Sequence, residues 1–174
     1  SYNSQRTKEA VKILNNLGTP CIIHQPSYNM FNRWVEEDGL LDTLEDLGVG
    51  SIAFTPLAQG MLTNKYLNGV PNDSRAMQGK SLDRDKISPE LVETLKQLKV
   101  IASGRGQTLA QMALAWVLRG GRVTTALIGA SKPEQVLDCV GAVGNLNFTA
   151  DELLEIDRLS GDQGINLWAA SSEI

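Results

Sequence analysis

Apolar positions along this chain switch between two spacings, and the switches mark its elements. Asn3 and Ser4 are helix-capping residues. From Thr7, the positions Ala10, Val11, Ile13, Leu14 and Leu17 follow helical spacing until Gly18. Thr19-Pro20 leads into Cys21-Ile22-Ile23-His24-Gln25, which predicts a short buried strand. The stretch from Pro26 to Trp34 reads as a polar loop carrying Tyr28, Phe31 and Trp34. A helix near Gly39–Leu47 places Leu40, Leu41, Leu44 and Leu47 on one side. Val49 to Phe54 predicts a second strand.

A long connection from Thr55 to about Ile87 holds Pro56, Gly60, Gly69, Pro71 and Gly79; loops of that length in compact domains are usually functional or disordered. From Ser88, with Pro89 in the first turn, Leu91, Leu95, Leu98, Ile101 and Ala102 predict a helix that Gly104 and Gly106 break. Thr108 caps another helix, which ends at Gly120 and Gly121. Val123–Ile128 predicts the third strand, a helix starting at Pro133 runs to about Val140, and Thr149 caps a last helix over Asp151–Leu159.

Short apolar strands alternating with amphipathic helices give an α/β fold with a parallel sheet covered by helices. Three strands are few for so many helices, and bare sheet edges invite association. The chain therefore reads as one incomplete unit of a larger α/β assembly. It has 174 residues and a net charge of −4, with no long basic run, which argues against a nucleic-acid binder. No apolar stretch approaches a membrane span. The start has neither a signal-peptide core nor Met, which is read as a beginning inside a longer protein. Cys21 and Cys139 lack metal-ligand spacing, so no metal is expected. Both thiols are expected reduced, in a cytoplasmic protein.

Ligands of parallel α/β folds gather at the carboxyl ends of the strands. Three segments end there. His24-Gln25 closes the first strand and Phe54-Thr55-Pro56-Leu57-Ala58-Gln59-Gly60 the second. Gly129-Ala130-Ser131-Lys132 follows the third and opens a helix with Pro133 in its first turn. A helix start attracts an anion, and Lys132 adds a full charge beside it; an ordinary strand–helix turn is the alternative. Gln25 can donate to and accept from a carboxamide, or satisfy a loop backbone group. Phe54 is either a platform for an aromatic ring or a core residue. Lys65 and Arg75 could pair with phosphates or be solvated loop charges. His24 reads as structural. Tyr28 could be a proton donor, yet no Lys stands near it in sequence to depress its pKa.

Taken in order, these segments resemble the C-terminal half of an aldo-keto reductase over essentially the whole chain. The matching residues are Ser1-Tyr2-Asn3-Ser4, Gln25-Pro26-Ser27-Tyr28-Asn29, Phe54 to Gly60, Lys65-Tyr66, Asp73-Ser74-Arg75, and Ile128 to Gln135. The variant is most similar to the subgroup that includes potassium-channel beta subunits and bacterial glyceraldehyde-phosphate reductases; Asn166-Leu167-Trp168 also resembles the bacterial branch. The resemblance implies part of a (β/α)8 barrel, with strands six to eight and their helices present and the N-terminal half absent. It implies hydride transfer between NADPH and a small aldehyde or ketone, such as glyceraldehyde 3-phosphate or methylglyoxal.

By position, Ser1 and Gln25 would hold the nicotinamide carboxamide, and Phe54 would stack on its ring. Thr55, Pro56, Leu57, Ala58 and Gln59 would line the pyrophosphate, with Lys65 and Arg75 near phosphate oxygens. Gly129, Ser131, Lys132 and Gln135 would surround the 2′-phosphate. Asp138 and Cys139 match an acidic-plus-Asn pair near the adenine, from which Cys139 departs. The family's Asp, Tyr, Lys and His tetrad lies on the first four strands, so the resemblance assigns no catalytic residue here and makes the N-terminal half a required partner. Homo-oligomers are compatible with it. Two further readings stay open: a non-catalytic NADPH-binding regulatory module resembling a channel beta subunit, and an inactive fragment.

Overall fold

The computed structural model describes residues 2–67 and 87–161. Three parallel strands, β1 (Ile23–His24), β2 (Gly50–Ala53) and β3 (Thr125–Ala126), lie side by side in chain order. Ile23 stands opposite Gly50 and His24 opposite Ser51; Ile52 stands opposite Thr125 and Ala53 opposite Ala126. Neighbours in sequence are thus neighbours in the sheet, with helices as crossovers. Sequential parallel order with helical crossovers is shared by a segment of a barrel and by one half of a doubly wound sheet. Gly50 sits in a close approach: a Cβ there would lie 3.0 Å from both Ile23 Cδ1 and Thr124 Oγ1, so those side chains would have to give by a few tenths of an ångström to admit one.

Among the described residues seven α-helices flank the strands: α1 (Ser4–Asn16), α2 (Trp34–Glu37), α3 (Leu40–Asp46), α4 (Pro89–Gly104), α5 (Leu109–Leu118), α6 (Pro133–Val140) and α7 (Ala150–Leu159). Their starts follow the sequence signals. The side chains of Asn3, Ser88, Thr108 and Thr149 accept from backbone N–H groups of the first turns, and Thr108–Gln111 and Thr149–Glu152 form reciprocal capping boxes. α5 is the central helix, buried from Leu109 through Val117 except at the half-buried Gln111. Leu91, Leu95, Leu98 and Ala102 of α4 pack into the same core, as do Leu40, Leu41 and Leu44 of α3.

Two strand expectations are corrected. The stretch Cys21–Gln25 is neither a five-residue strand nor buried: only Ile23 and His24 are in β1, with Ile22 72 % and Ile23 40 % exposed. Successive residues of a strand face opposite sides, so exposure of both marks a missing neighbour. Among the described residues no strand covers the outer edge of β1. β3 is likewise shorter than Val123–Ile128, and Leu127 is 52 % exposed at the other edge. The stretch Pro26–Arg33 is irregular, as a loop should be, but it is buried for most of its length. Ser27, Tyr28, Asn29, Met30, Phe31 and Asn32 are all buried, and α2 begins at Trp34. Its polar side chains bond one another, which removes the cost of burying them. The connection after Thr55 contains two short 3-10 turns, Ala58–Gly60 and Asn64–Tyr66. No helix among the described residues is long and apolar enough to cross a membrane.

Candidate functional site

Because the three strands are parallel and adjacent, Gln25, the segment after Ala53 and the segment after Ala126 all emerge from one end of the sheet. Gln25 is exposed there, just past β1. Phe54 is half-buried and continues the ladder: its N–H donates to Pro26 O at 3.0 Å, and its carbonyl accepts from Tyr28 N–H at 3.2 Å.

The next residues carry unusual backbone. Thr55, Ala58 and Gln59 have φ of 55°, 47° and 59°. The left-handed region is sparsely used by residues with a Cβ, and a β-branched one pays the most; each such residue costs roughly 1–3 kcal/mol. Leu57 (φ −97°) followed by Ala58 alternates right- and left-handed geometry, the alternation from which anion-binding N–H concavities are built; the Ala58 N–H is taken by Thr55 O at 2.9 Å, which leaves the N–H groups of Leu57 and Gln59 as the candidates to meet an anion. Gln59 Oε1 is buried with no hydrogen-bond partner. Pro56 and Ala58 are buried, and neither offers a free N–H: Pro56 has none, and that of Ala58 donates to Thr55 O. Lys65 is exposed, its Nζ 5.9 Å from the Tyr66 ring centroid.

After β3, Gly129, Ala130, Ser131, Lys132 and Gln135 are all exposed. A groove of about 580 Å³ runs along Ala130, Ser131, Lys132, Pro133, Val136 and Leu137. Lys132 is the N-cap of α6, with Pro133 at its first position. Gln135 Oε1 accepts from Ser131 N–H at 2.8 Å and lies 3.3 Å from Ser131 Oγ. A neutral oxygen therefore sits where the helix start would receive an anion. Lys132 has no ion-pair partner among the described residues. Asp138 faces the other way: its carboxylate accepts from Thr108 Oγ1 at 3.2 Å and Gln111 Nε2 at 3.0 Å, tying α6 to the start of α5. Cys139 is half-buried, and burial followed by the Asp138 charge raises its thiol pKa. Ser1 and Arg75 lie outside the described residues.

His24 has a buried Nδ1 without a partner, and burial lowers its pKa. Tyr28 does not face the strand ends as a free acid. Its hydroxyl donates to Glu36 Oε1 and accepts from Arg119 Nη1 at 3.0 Å. Burial pushes its pKa well up; Arg119 opposes the rise and Glu36 adds to it. Burial alone would raise the Glu36 pKa too, yet hydrogen bonds from Tyr28, Arg33 and Arg119 hold it below its ordinary value. Arg119 and Arg33 lie 3.7 and 5.0 Å from the Trp116 ring centroid. This cluster joins α2 to the end of α5.

Sequence reasoning missed the polar residues behind the strained segment. Asn29 Nδ2 donates to Thr55 O at 2.9 Å, and Ser27 Oγ lies 2.9 Å from Thr55 Oγ1. Their types were visible, but an Asn- and Ser-bearing stretch reads as loop. Among the described residues no group of His, Cys, Asp and Glu has the arrangement of a metal site.

The chain matches the model of the aldo/keto reductase family over residues 1–160. It is 50 % identical over 177 aligned residues to L-glyceraldehyde 3-phosphate reductase of Escherichia coli O157:H7, and equally to that of Escherichia coli strain K12. Each alignment covers 99 % of this chain and 51 % of the relative. The chain thus spans about half the length of these curated relatives.

Proposed function

The chain belongs to the aldo/keto reductase family, and on that premise we propose that it forms the C-terminal half of a (β/α)8 barrel and supplies most of the NADPH site of a reductase of small aldehydes or ketones. Glyceraldehyde 3-phosphate is the first substrate to test, with methylglyoxal as a second; the names of the two relatives favour the former. The carrying observation is the left-handed segment Thr55–Gln59 at the end of β2, one strand away from the unpaired Lys132 at the end of β3.

The residues fit the coenzyme in kind. Gln25 offers donor and acceptor to a carboxamide, and Phe54 a ring face at the end of the neighbouring strand. The concavity at Leu57–Gln59 suits a pyrophosphate, and Lys132 with Ser131 suits a phosphate dianion. Bound there, NADPH would supply hydride from its nicotinamide. Gln135 would first release Ser131, so that the phosphate replaces its side-chain oxygen. This chain contributes binding and orientation only. Tyr28 is committed to Glu36 and Arg119, so the proton for the carbonyl oxygen falls to residues of the other half of the barrel. The thiols are reduced and the setting is cytoplasmic in this reading.

The test is Lys132→Ala with coenzyme fluorescence titrations. NADPH binding weakens at least about tenfold, the scale of one charge-assisted bond, while NADH binding changes little. Equal loss for both would remove the 2′-phosphate from this loop.

A further inference from the structure

Residues 27–32 hold a directional chain of hydrogen bonds that ends on the strained segment. Thr55 Oγ1 lies 2.7 Å from Phe54 O, a carbonyl that can only accept, so the Thr55 hydroxyl spends its proton there. Ser27 Oγ, 2.9 Å from Thr55 Oγ1, must then be the donor of that pair. Ser27 in turn accepts from Asn32 Nδ2 at 3.0 Å. A second line runs through Asn29. Its Oδ1 accepts from Phe31 N–H at 2.9 Å, which fixes the amide's orientation and aims Nδ2 at Thr55 O, also at 2.9 Å. The same carbonyl accepts from Ala58 N–H at 2.9 Å, closing the turn that starts the concavity. Ser27, Asn29 and Asn32 are 2 %, 2 % and 4 % exposed. Buried donors in such an arrangement have no water to fall back on, so the geometry is held on both sides of the Thr55 peptide.

We propose that Asn29, with Ser27 and Asn32 behind it, is a positioning residue for coenzyme binding: it pins the left-handed Thr55 and thereby sets the N–H concavity at Leu57–Gln59. The inference rests on the reading of that concavity as the pyrophosphate site. Pyrophosphate is common to NADPH and NADH. A defect in positioning therefore acts on both coenzymes alike, unlike a defect at Lys132.

The experiment is Asn29→Asp, which keeps size and the acceptor for Phe31 N–H but places an acceptor where Thr55 O needs a donor. Dissociation constants for NADPH and NADH both rise about tenfold, and their ratio stays at the wild-type value. Unchanged constants, or a changed ratio, overturn the proposal. Amide hydrogen exchange of the unliganded chain is read in parallel. Exchange at Ala58 and Gly60 speeds up about tenfold in the variant, while amides in α4 and α5 keep their rates. Should wild type bind neither coenzyme, the functional reading fails and the exchange result alone decides the positioning claim; unaltered exchange at Ala58 overturns it. Should Asn29→Asp not fold, Asn32→Asp, which removes the donor to Ser27, is read in the same two assays with the same outcomes.

Discussion

Glu36 shows how one side chain joins distant elements. It accepts from Tyr28, Arg33 and Arg119, and the two arginines cover the ring of Trp116. Removing Arg119 leaves a half-buried carboxylate with fewer donors. Arg119→Met is expected to cost about 2 kcal/mol in chemical denaturation, less than for a fully buried pair. The sign of the pH effect follows from the lowered Glu36 pKa. The unfolded chain takes up the proton near pH 4.5, before the folded one does. The carboxylate's contribution is therefore present above that pH and is lost as pH falls through the folded value. A stability-versus-pH curve for Glu36→Gln should decline less steeply below pH 4.5 than wild type; an unchanged acid limb would count against this role. None of this was legible in sequence, where Glu36 and Arg119 are 83 positions apart. Gln25, Phe54 and Lys132 were legible as candidates, because their position just after a strand is a sequence property.

Among elements, the helices were more legible than the strands. Caps and glycines are local signals, and Asn3, Ser88, Thr108 and Thr149 cap as expected. Strand length instead depends on neighbours, so β1 and β3 shrink to two residues each where an edge is bare. The burial of residues 26–32 was not legible because their polar groups are satisfied partly by residues remote in sequence, above all Thr55. The two capping boxes give a paired test. Thr149→Ala removes a cap and should cost about 1 kcal/mol. Thr108→Ala should cost more, because it also releases Asp138 and loosens α6 from α5. Equal losses would mean that the Thr108–Asp138 bond carries no stability.

At the scale of the whole molecule, no strand among the described residues pairs with either edge of the sheet, and α6 has no buried side chain; its Leu137 is 73 % exposed. Contiguous apolar surface of this kind drives association. The 174-residue chain on its own is expected to sediment above 18.9 kDa, increasingly so with concentration; a monomer at every concentration would contradict that. The same chain, lacking the other half of the barrel in the proposed reading, should turn over no aldehyde even with NADPH bound.

The central claim is that the carboxyl ends of the strands make one coenzyme surface. Amide hydrogen exchange with and without NADPH tests it most directly. The account predicts that added NADPH slows exchange in 54–60 and 129–135 together, at the same concentration, and leaves α7 unaffected. Protection confined to one of these segments, or found only around Tyr28 and Arg119, would contradict it.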